Sequence, residues 1–246
     1  MRFKEFIREA KHREDISIEK AIELLEKHCG EAYKHFDEPL WRGSRRMTED
    51  AYLVSGEDGN RTSANTKNYY TLVMDHFLPE LGYPKRSKSI IMGNTKNLEY
   101  VQAYGTTYAV FPYDGVKIGV CEHEDLWYSK IQVGNEKHPM TVEQLNRRFY
   151  GFDLDDSTYQ DFKNSIITKM NDTSSIQSIV TGMFGKDPSK VESILKAAYS
   201  PESLKLHLAT TSDIKKYDDN KRELWIGGKC IAIKRATWLK MMEDRK

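Results

Sequence analysis

Glu223-Leu224-Trp225-Ile226-Gly227-Gly228-Lys229-Cys230-Ile231-Ala232-Ile233 reads as two short apolar strands, Glu223 to Ile226 and Cys230 to Ile233, around a two-glycine turn. Aromatic and β-branched side chains suit a pleated, buried surface, and glycine reaches the positive φ of a tight turn, so the spacing predicts a β-hairpin. The stretch follows a long tract with helical periodicity. A chain that returns to strand so late belongs to the α+β class, with helices segregated from a sheet. Its first residue is a carboxylate heading an otherwise apolar strand.

Upstream, apolar residues at Ile18, Ala21, Ile22, Leu25 and Cys29 recur with a helical period behind Ser17, which predicts an amphipathic helix from Ser17 to about Phe36. Leu40-Trp41 begins a buried strand after Pro39 and presents Arg42 and Gly43 at its end. Residues 55 to 68 are dense in turn formers and form a long polar loop, followed by a helix from about Tyr69 to Leu78. Strands follow at Ser89 to Met92, Tyr108 to Phe111 and Val116 to Cys121, the last two joined by Pro112-Tyr113-Asp114-Gly115 as a second hairpin. From Thr141 to Leu208 the pattern is helical: Val142 to Tyr150, Thr158 to Met170, Ser175 to Phe184, and Pro188 to Ala198 capped by Asp187. The organisation is therefore an N-terminal helical region (1–36), a first sheet portion (37–140), a helical insertion (141–208) and closing strands (209–246).

With 246 residues and 39% apolar side chains there is enough material for a substantial core. Lys and Arg number 38 against 37 Asp and Glu, so no global field draws the chain to nucleic acid or membrane, and any such contact is local. Cys29, Cys121 and Cys230 are odd in number and widely spaced, which argues against a disulfide framework or a structural zinc site and for a reducing cytoplasm. No segment approaches the roughly 18 uninterrupted apolar residues of a membrane span.

Arginine offers a planar fork of donors matched to phosphate, and a following glycine permits close backbone approach, so Arg42-Gly43 suits an anionic ligand.

The order Leu40-Trp41-Arg42-Gly43, then Ser89-Ile90-Ile91-Met92-Gly93-Asn94-Thr95, then Glu223 on a late strand resembles the mono-ADP-ribosyltransferases, particularly phage-encoded ones. The resemblance covers about half of the chain, in three short pieces. It implies a split, mainly antiparallel sheet around an NAD cleft and transfer of ADP-ribose to a macromolecular acceptor with release of nicotinamide. Glu223 would stabilise the oxocarbenium, Arg42 would anchor NAD phosphate or ribose, and Gly43 would allow close contact. Ser89, Asn94 or Thr95 would order the cleft, with Tyr104 and Tyr108 as candidates for stacking on nicotinamide. Arg42 and Glu223 are then expected to line one pocket.

Two departures bear on function. Gly93-Asn94-Thr95 stands where the family often has Ser-Thr-Ser, and Lys221 stands where arginine-modifying members have the first acid of Glu-x-Glu. The acceptor is thus open between protein, which family analogy favours, and DNA or RNA. Lys85-Arg86-Ser87-Lys88 and Arg45-Arg46, with Tyr69, Tyr70 and Tyr83, offer charge and ring faces for either the NAD diphosphate or a nucleic acid.

Three other readings compete. Glu122-His123-Glu124 has the literal Glu-x-Glu spacing after a strand, so Glu124 rivals Glu223 as the acid. His123 and His138, with Glu122, Glu124 and Asp125, define a metal-dependent hydrolase alternative. A non-catalytic phage structural or host-takeover binding protein would keep the same fold without turnover.

Overall fold

The computed structural model describes residues 13–57 and 67–245, so most of the polar 55–68 loop and the first twelve residues lie outside the described residues. In chain order the strands are β1 (Arg13–Asp15), β2 (Leu40–Ser44), β3 (Ala51–Ser55), β4 (Ile90–Gly93), β5 (Thr106–Pro112), β6 (Lys117–Cys121), β7 (Lys130–Ile131), β8 (Met140–Thr141), β9 (Leu206–Thr210), β10 (Glu223–Gly227) and β11 (Lys229–Lys234). The helices are α1 (Ile18–His28), α2 (Gly30–Tyr33), α3 (Tyr69–Phe77), α4 (Leu98–Gln102), α5 (Val142–Gly151), α6 (Tyr159–Met170), α7 (Ser175–Phe184), α8 (Val191–Ala198), α9 (Pro201–Leu204) and α10 (Arg235–Glu243). The class is α+β. Among the described residues no helix is long and apolar enough to cross a membrane.

The chain divides into two compact units, one from residues 1–61, 82–124 and 207–246, the other from 62–81 and 125–206. The second unit is larger than the 141–208 insertion read from the sequence. It also takes in α3 and the segment from 125 to 140.

In the first unit nine strands form one sheet in the order β1-β3-β11-β5-β2-β4-β10-β6-β9, and the pairs from β1 across to β6 are antiparallel. Period-two alternation sends Leu40, Tyr108, Val110, Met92, Val120, Leu224, Ile226 and Cys230 into one apolar core, with Met47, Ala209 and Ile214 from outside the central strands. Ile214 reaches that cluster from a short 3-10 helix, Thr211–Tyr217, that follows β9. The alternate residues Trp41, Ala109, Phe111, Ile231 and Ile233 pack outward against Ala21 and Leu25 of α1, Val101 of α4 and Trp238 of α10. The Trp238 indole N–H donates to Phe36 O at 2.9 Å, which satisfies its one polar atom within the apolar layer.

Neither predicted hairpin forms. β5 lies between β2 and β11, while β6 lies between β10 and β9; likewise β10 pairs with β4 and β6, and β11 with β3 and β5. The first turn forms at Asp114-Gly115, with Gly115 at φ 74°, whereas Gly227 remains in β10 and neither Gly227 nor Gly228 takes a positive φ; backbone groups of both segments are taken by other parts of the chain. Tyr113 N–H donates to Lys229 O at 3.0 Å, Thr211 Oγ1 donates to Tyr113 O at 2.8 Å, and Gly56 N–H donates to Gly228 O at 2.9 Å. Turn chemistry is local, whereas strand partners are chosen by burial on both faces.

The predicted N-terminal helix breaks after His28. Asp114, from the β5–β6 turn, accepts the backbone N–H groups of Gly30 and Glu31 at 2.9 Å each, so the chain restarts as α2 with a long-range cap.

The second unit is helical around Tyr69, Phe149, Phe162 and Phe184, with Tyr69 stacked on Phe162 at 5.1 Å and Phe149 edge-on to Phe162 at 5.2 Å. Several of its helix starts are fixed by local side-chain caps. Thr141 and Gln144 form a reciprocal capping box on α5, Thr158 accepts from Asp161 N–H on α6, and Asp187 accepts from Ser189 N–H ahead of α8.

All three cysteines are free and buried, and burial pushes the Cys230 thiol up to about 12. A thiol reagent at pH 8 should therefore label neither Cys29 nor Cys230 until the protein unfolds; stoichiometric labelling of the native protein would contradict this. Asp114→Ala should cost about 0.5–2 kcal/mol in urea unfolding, the range for loss of a helix-capping carboxylate.

Candidate functional site

The three motif segments meet on adjacent strands. β4 lies between β2 and β10, and Gly93 of β4 is the in-register partner of both Trp41 and Glu223. Trp41, Gly93 and Glu223 therefore form one row across the sheet, although Trp41 and Glu223 are nearly two hundred positions apart in sequence. β2 and β4 share only that one pair, whereas β2 pairs with β5 at five positions and β10 with β4 at four. The sheet is barely joined at this row.

Arg42 occupies the gap. Its guanidinium Nη1 donates to Ile91 O at 2.7 Å, so the side chain takes up a β4 carbonyl where the β2–β4 ladder has lapsed. Residues directly opposite in an antiparallel ladder point to the same face, and neighbours along a strand to opposite faces. Glu223 thus shares the face of Trp41, while Arg42 leaves with Leu40 towards the strand-lined core. The expected convergence of Arg42 and Glu223 in one pocket does not follow from this register.

The cation that meets Glu223 is Arg86. Its Nη1 and Glu223 Oε1 form a direct ion pair, with Arg86 3% and Glu223 7% exposed. The guanidinium also lies 5.7 Å from the ring centroid of Trp225, which shares Glu223's face of β10. Trp225 is seated by Gly119, where a Cβ would come within 2.1 Å of the indole, and its Nε1 donates to Pro84 O at 3.0 Å. Residues 84–86 are in this way strapped over β10 and carry Arg86 to the carboxylate. In the sequence Arg86 belongs to a basic run suited to gripping phosphate. Nothing local to Lys85-Arg86-Ser87-Lys88 distinguishes the one buried member from its exposed lysine neighbours.

The strand entry is fixed just as closely. Glu223 N–H donates to His123 O at 2.7 Å, and Asn94 N–H to Arg222 O at 3.1 Å. The Asn94 amide donates to Tyr217 O at 2.9 Å and to Asn220 O, and its Oδ1 accepts from Arg222 N–H at 3.3 Å. Asn97 Nδ2 adds bonds to Arg222 O at 3.2 Å and Glu124 O at 3.4 Å. Asn94 thus clamps the loop that precedes Glu223.

The other expected ligand contacts have structural partners. Gly43 admits helix α4 rather than leaving a ligand surface: a Cβ there would meet Val101 O at 1.9 Å. A Cβ on Gly93 would lie 2.5 Å from Asn97 Cβ, so Asn97 covers the centre of the row. Ser89 Oγ donates to Lys85 O at 2.6 Å, and Thr95 O accepts the Trp41 indole N–H at 3.1 Å. Tyr108 is fully buried with its hydroxyl donating to Glu49 O at 3.1 Å, so as a stacking platform for nicotinamide it is replaced by a core role. Tyr104 is 50% exposed, its hydroxyl 2.9 Å from that of Tyr100.

The Glu122-His123-Glu124 segment leaves the strand at Cys121, so strand alternation does not align its carboxylates. Glu122 lies 3.5 Å from His207, and Asp125 Oδ1 accepts Trp127 N–H at 2.9 Å. Among the described residues no group of three or more His, Cys, Asp or Glu is gathered to hold a metal ion. Lys221, in the position of the missing acid, is 3.7 Å from Glu99.

Gly43→Ala should destabilise by about 1–3 kcal/mol or more, the cost of overpacking against backbone, and calorimetric melting would read it. Asn94→Ala should cost about 1–3 kcal/mol through the donors and acceptors it strands, while leaving far-UV circular dichroism unchanged. Compared with protein-family models, curated proteins and solved structures, the chain finds no match, so the reading of this site rests on its own geometry.

Proposed function

We propose that the chain is a phage-type, cytoplasmic ADP-ribosyltransferase that cleaves NAD at the β2–β4–β10 junction, with Glu223 as the acid at the reacting sugar. In this reaction the bond between the ribose C1′ and the nicotinamide nitrogen breaks, and nicotinamide leaves neutral with the bonding electron pair. The acceptor's nucleophilic atom then bonds C1′ and gives up its proton. Glu223 supplies negative charge where the oxocarbenium develops.

The observation that carries this reading is that the three resembling segments, read separately along the chain, fall on neighbouring strands with Trp41, Gly93 and Glu223 in a single row. The lapse of β2–β4 pairing beside that row agrees with the split sheet that the resemblance implies. Arg42 changes role: it braces the parting of the sheet through Ile91 rather than facing Glu223 across the ligand. The acceptor is a macromolecule, protein by family analogy, with DNA or RNA as the competitor that labelled NAD and separate pools of protein, DNA and RNA would resolve.

A second reading, a binding protein on this fold without turnover, is favoured by a specific observation: Ser89, Asn94 and Tyr108 all spend their polar groups inside the protein, and Glu223 is 7% exposed. One assay separates the two. The wild-type protein should release nicotinamide from NAD, and Glu223→Gln should lower kcat by about a thousandfold or more with the NAD KM changed little, as for loss of a charge used only in the transition state. Absence of nicotinamide release from the folded wild-type protein, with every acceptor pool present, establishes the second reading.

A further inference from the structure

The ion pair at the head of β10 is unusual among the charged contacts of this protein in being buried on both sides, Arg86 at 3% and Glu223 at 7% exposure. Among the described residues the other Lys or Arg pairs with Asp or Glu each have at least one side chain more than 30% exposed, apart from Lys215–Asp218. A buried pair costs several kcal/mol of desolvation per ion, only partly repaid by attraction, so it is weak as a stabilising device and strong as a geometric one. Here the geometry is tightly held from three directions. Trp225 supports the guanidinium from below, Pro84 is tied to the Trp225 indole, and Asn94 and Asn97 hold the backbone of Arg222.

We infer that Arg86 is the positioning residue for Glu223: it holds the carboxylate in one orientation, so that the acid meets the reacting sugar without reorganising. The inference rests on the transferase reading above and adds to it a cation that neither the Arg-Gly strand nor the late Glu strand contains. Arg86 acts through Glu223 and need not touch the ligand. Among the described residues β4 (Ile90–Gly93) carries no titratable side chain, the face of β6 that continues from Glu223 and Trp225 carries Cys121 and, at the far end of the strand, the exposed Lys117, and Lys85 and Lys88 beside Arg86 are exposed.

The test uses the full chain and NAD as the probe, with Arg86→Met, Arg86→Lys and the pair Arg86→Met with Glu223→Gln. Arg86→Met should lose about a hundredfold in kcat with the NAD KM within about threefold, as for a reacting group displaced by an ångström. Arg86→Lys should recover part of kcat, because a charge is restored without the fork. Independently of turnover, the urea midpoint should fall in Arg86→Met and be largely restored in the double variant, since the second change removes the stranded carboxylate. A folded Arg86→Met or Arg86→Lys protein with wild-type kcat overturns the positioning role while leaving the transferase reading intact. Additive midpoint shifts in the double variant likewise overturn it. A wild-type protein that releases no nicotinamide removes the transferase reading itself, and this inference with it.

Discussion

One residue pair, Trp41 opposite Gly93, joins the two parts of the nine-stranded sheet, and the arrangement of the first unit depends on it. On one side β2 is zipped to β5 and onwards to β11 and β3; on the other, β4 is zipped to β10 and β6. Between them the ladder fails after a single pair, and side chains make up the loss. Arg42 takes the Ile91 carbonyl, the Trp41 indole takes the Thr95 carbonyl, and α4 fits against the bare backbone of Gly43. Backbone groups stranded at such a parting would each cost a kcal/mol or more, of order about 1–3. An arginine and a tryptophan beside a glycine are a compact way of meeting that demand, and this gives Trp41-Arg42-Gly43 a structural rationale.

The electrostatics of the site lie one strand further on. Glu223 is embedded rather than displayed: its carboxylate is held by Arg86, its backbone by His123, and the residue before it by Asn94 and Asn97. Burial makes the loss of either charged partner expensive, because the survivor stays in a poorly solvated place. The same burial strengthens any interaction the carboxylate makes with a charge developing beside it.

Local features of the sequence were legible and long-range ones were not. Thr141, Thr158 and Asp187 mark helix starts through side-chain bonds to amides two or three residues away, so those boundaries can be read from the chain alone. The strands at Ile90 and Glu223 were visible for a similar reason, as short apolar runs. What the turns at 112–116 and 227–228 could not convey is that the strands they connect belong to different partners, since that choice depends on cores assembled from distant segments. The break of the first helix at Cys29 needed Asp114, more than eighty positions away. At the site, the convergence of three motifs was legible, but the direction of Arg42 was not: strand parity with Trp41 turns it from Glu223, and a one-residue difference in register reverses that. Arg86 escaped because its neighbours in sequence are ordinary surface lysines, and Glu223 and Trp225, over a hundred positions later, make its place special.

The interleaving of the two units carries a consequence for how the molecule is made. β4 and β5 are complete by residue 112, yet their neighbours β10 and β11 begin only at residue 223, after the whole 125–206 segment has been synthesised. During translation the middle of the sheet therefore emerges with unsatisfied edges, while the helical unit, whose contacts are closer in sequence, has all of its residues first. Sequence separation of this kind slows assembly and prolongs exposure of sticky strands. The nascent chain is thus most vulnerable to misassembly between the emergence of β6 and that of β10, a window in which a chaperone would do most to protect it.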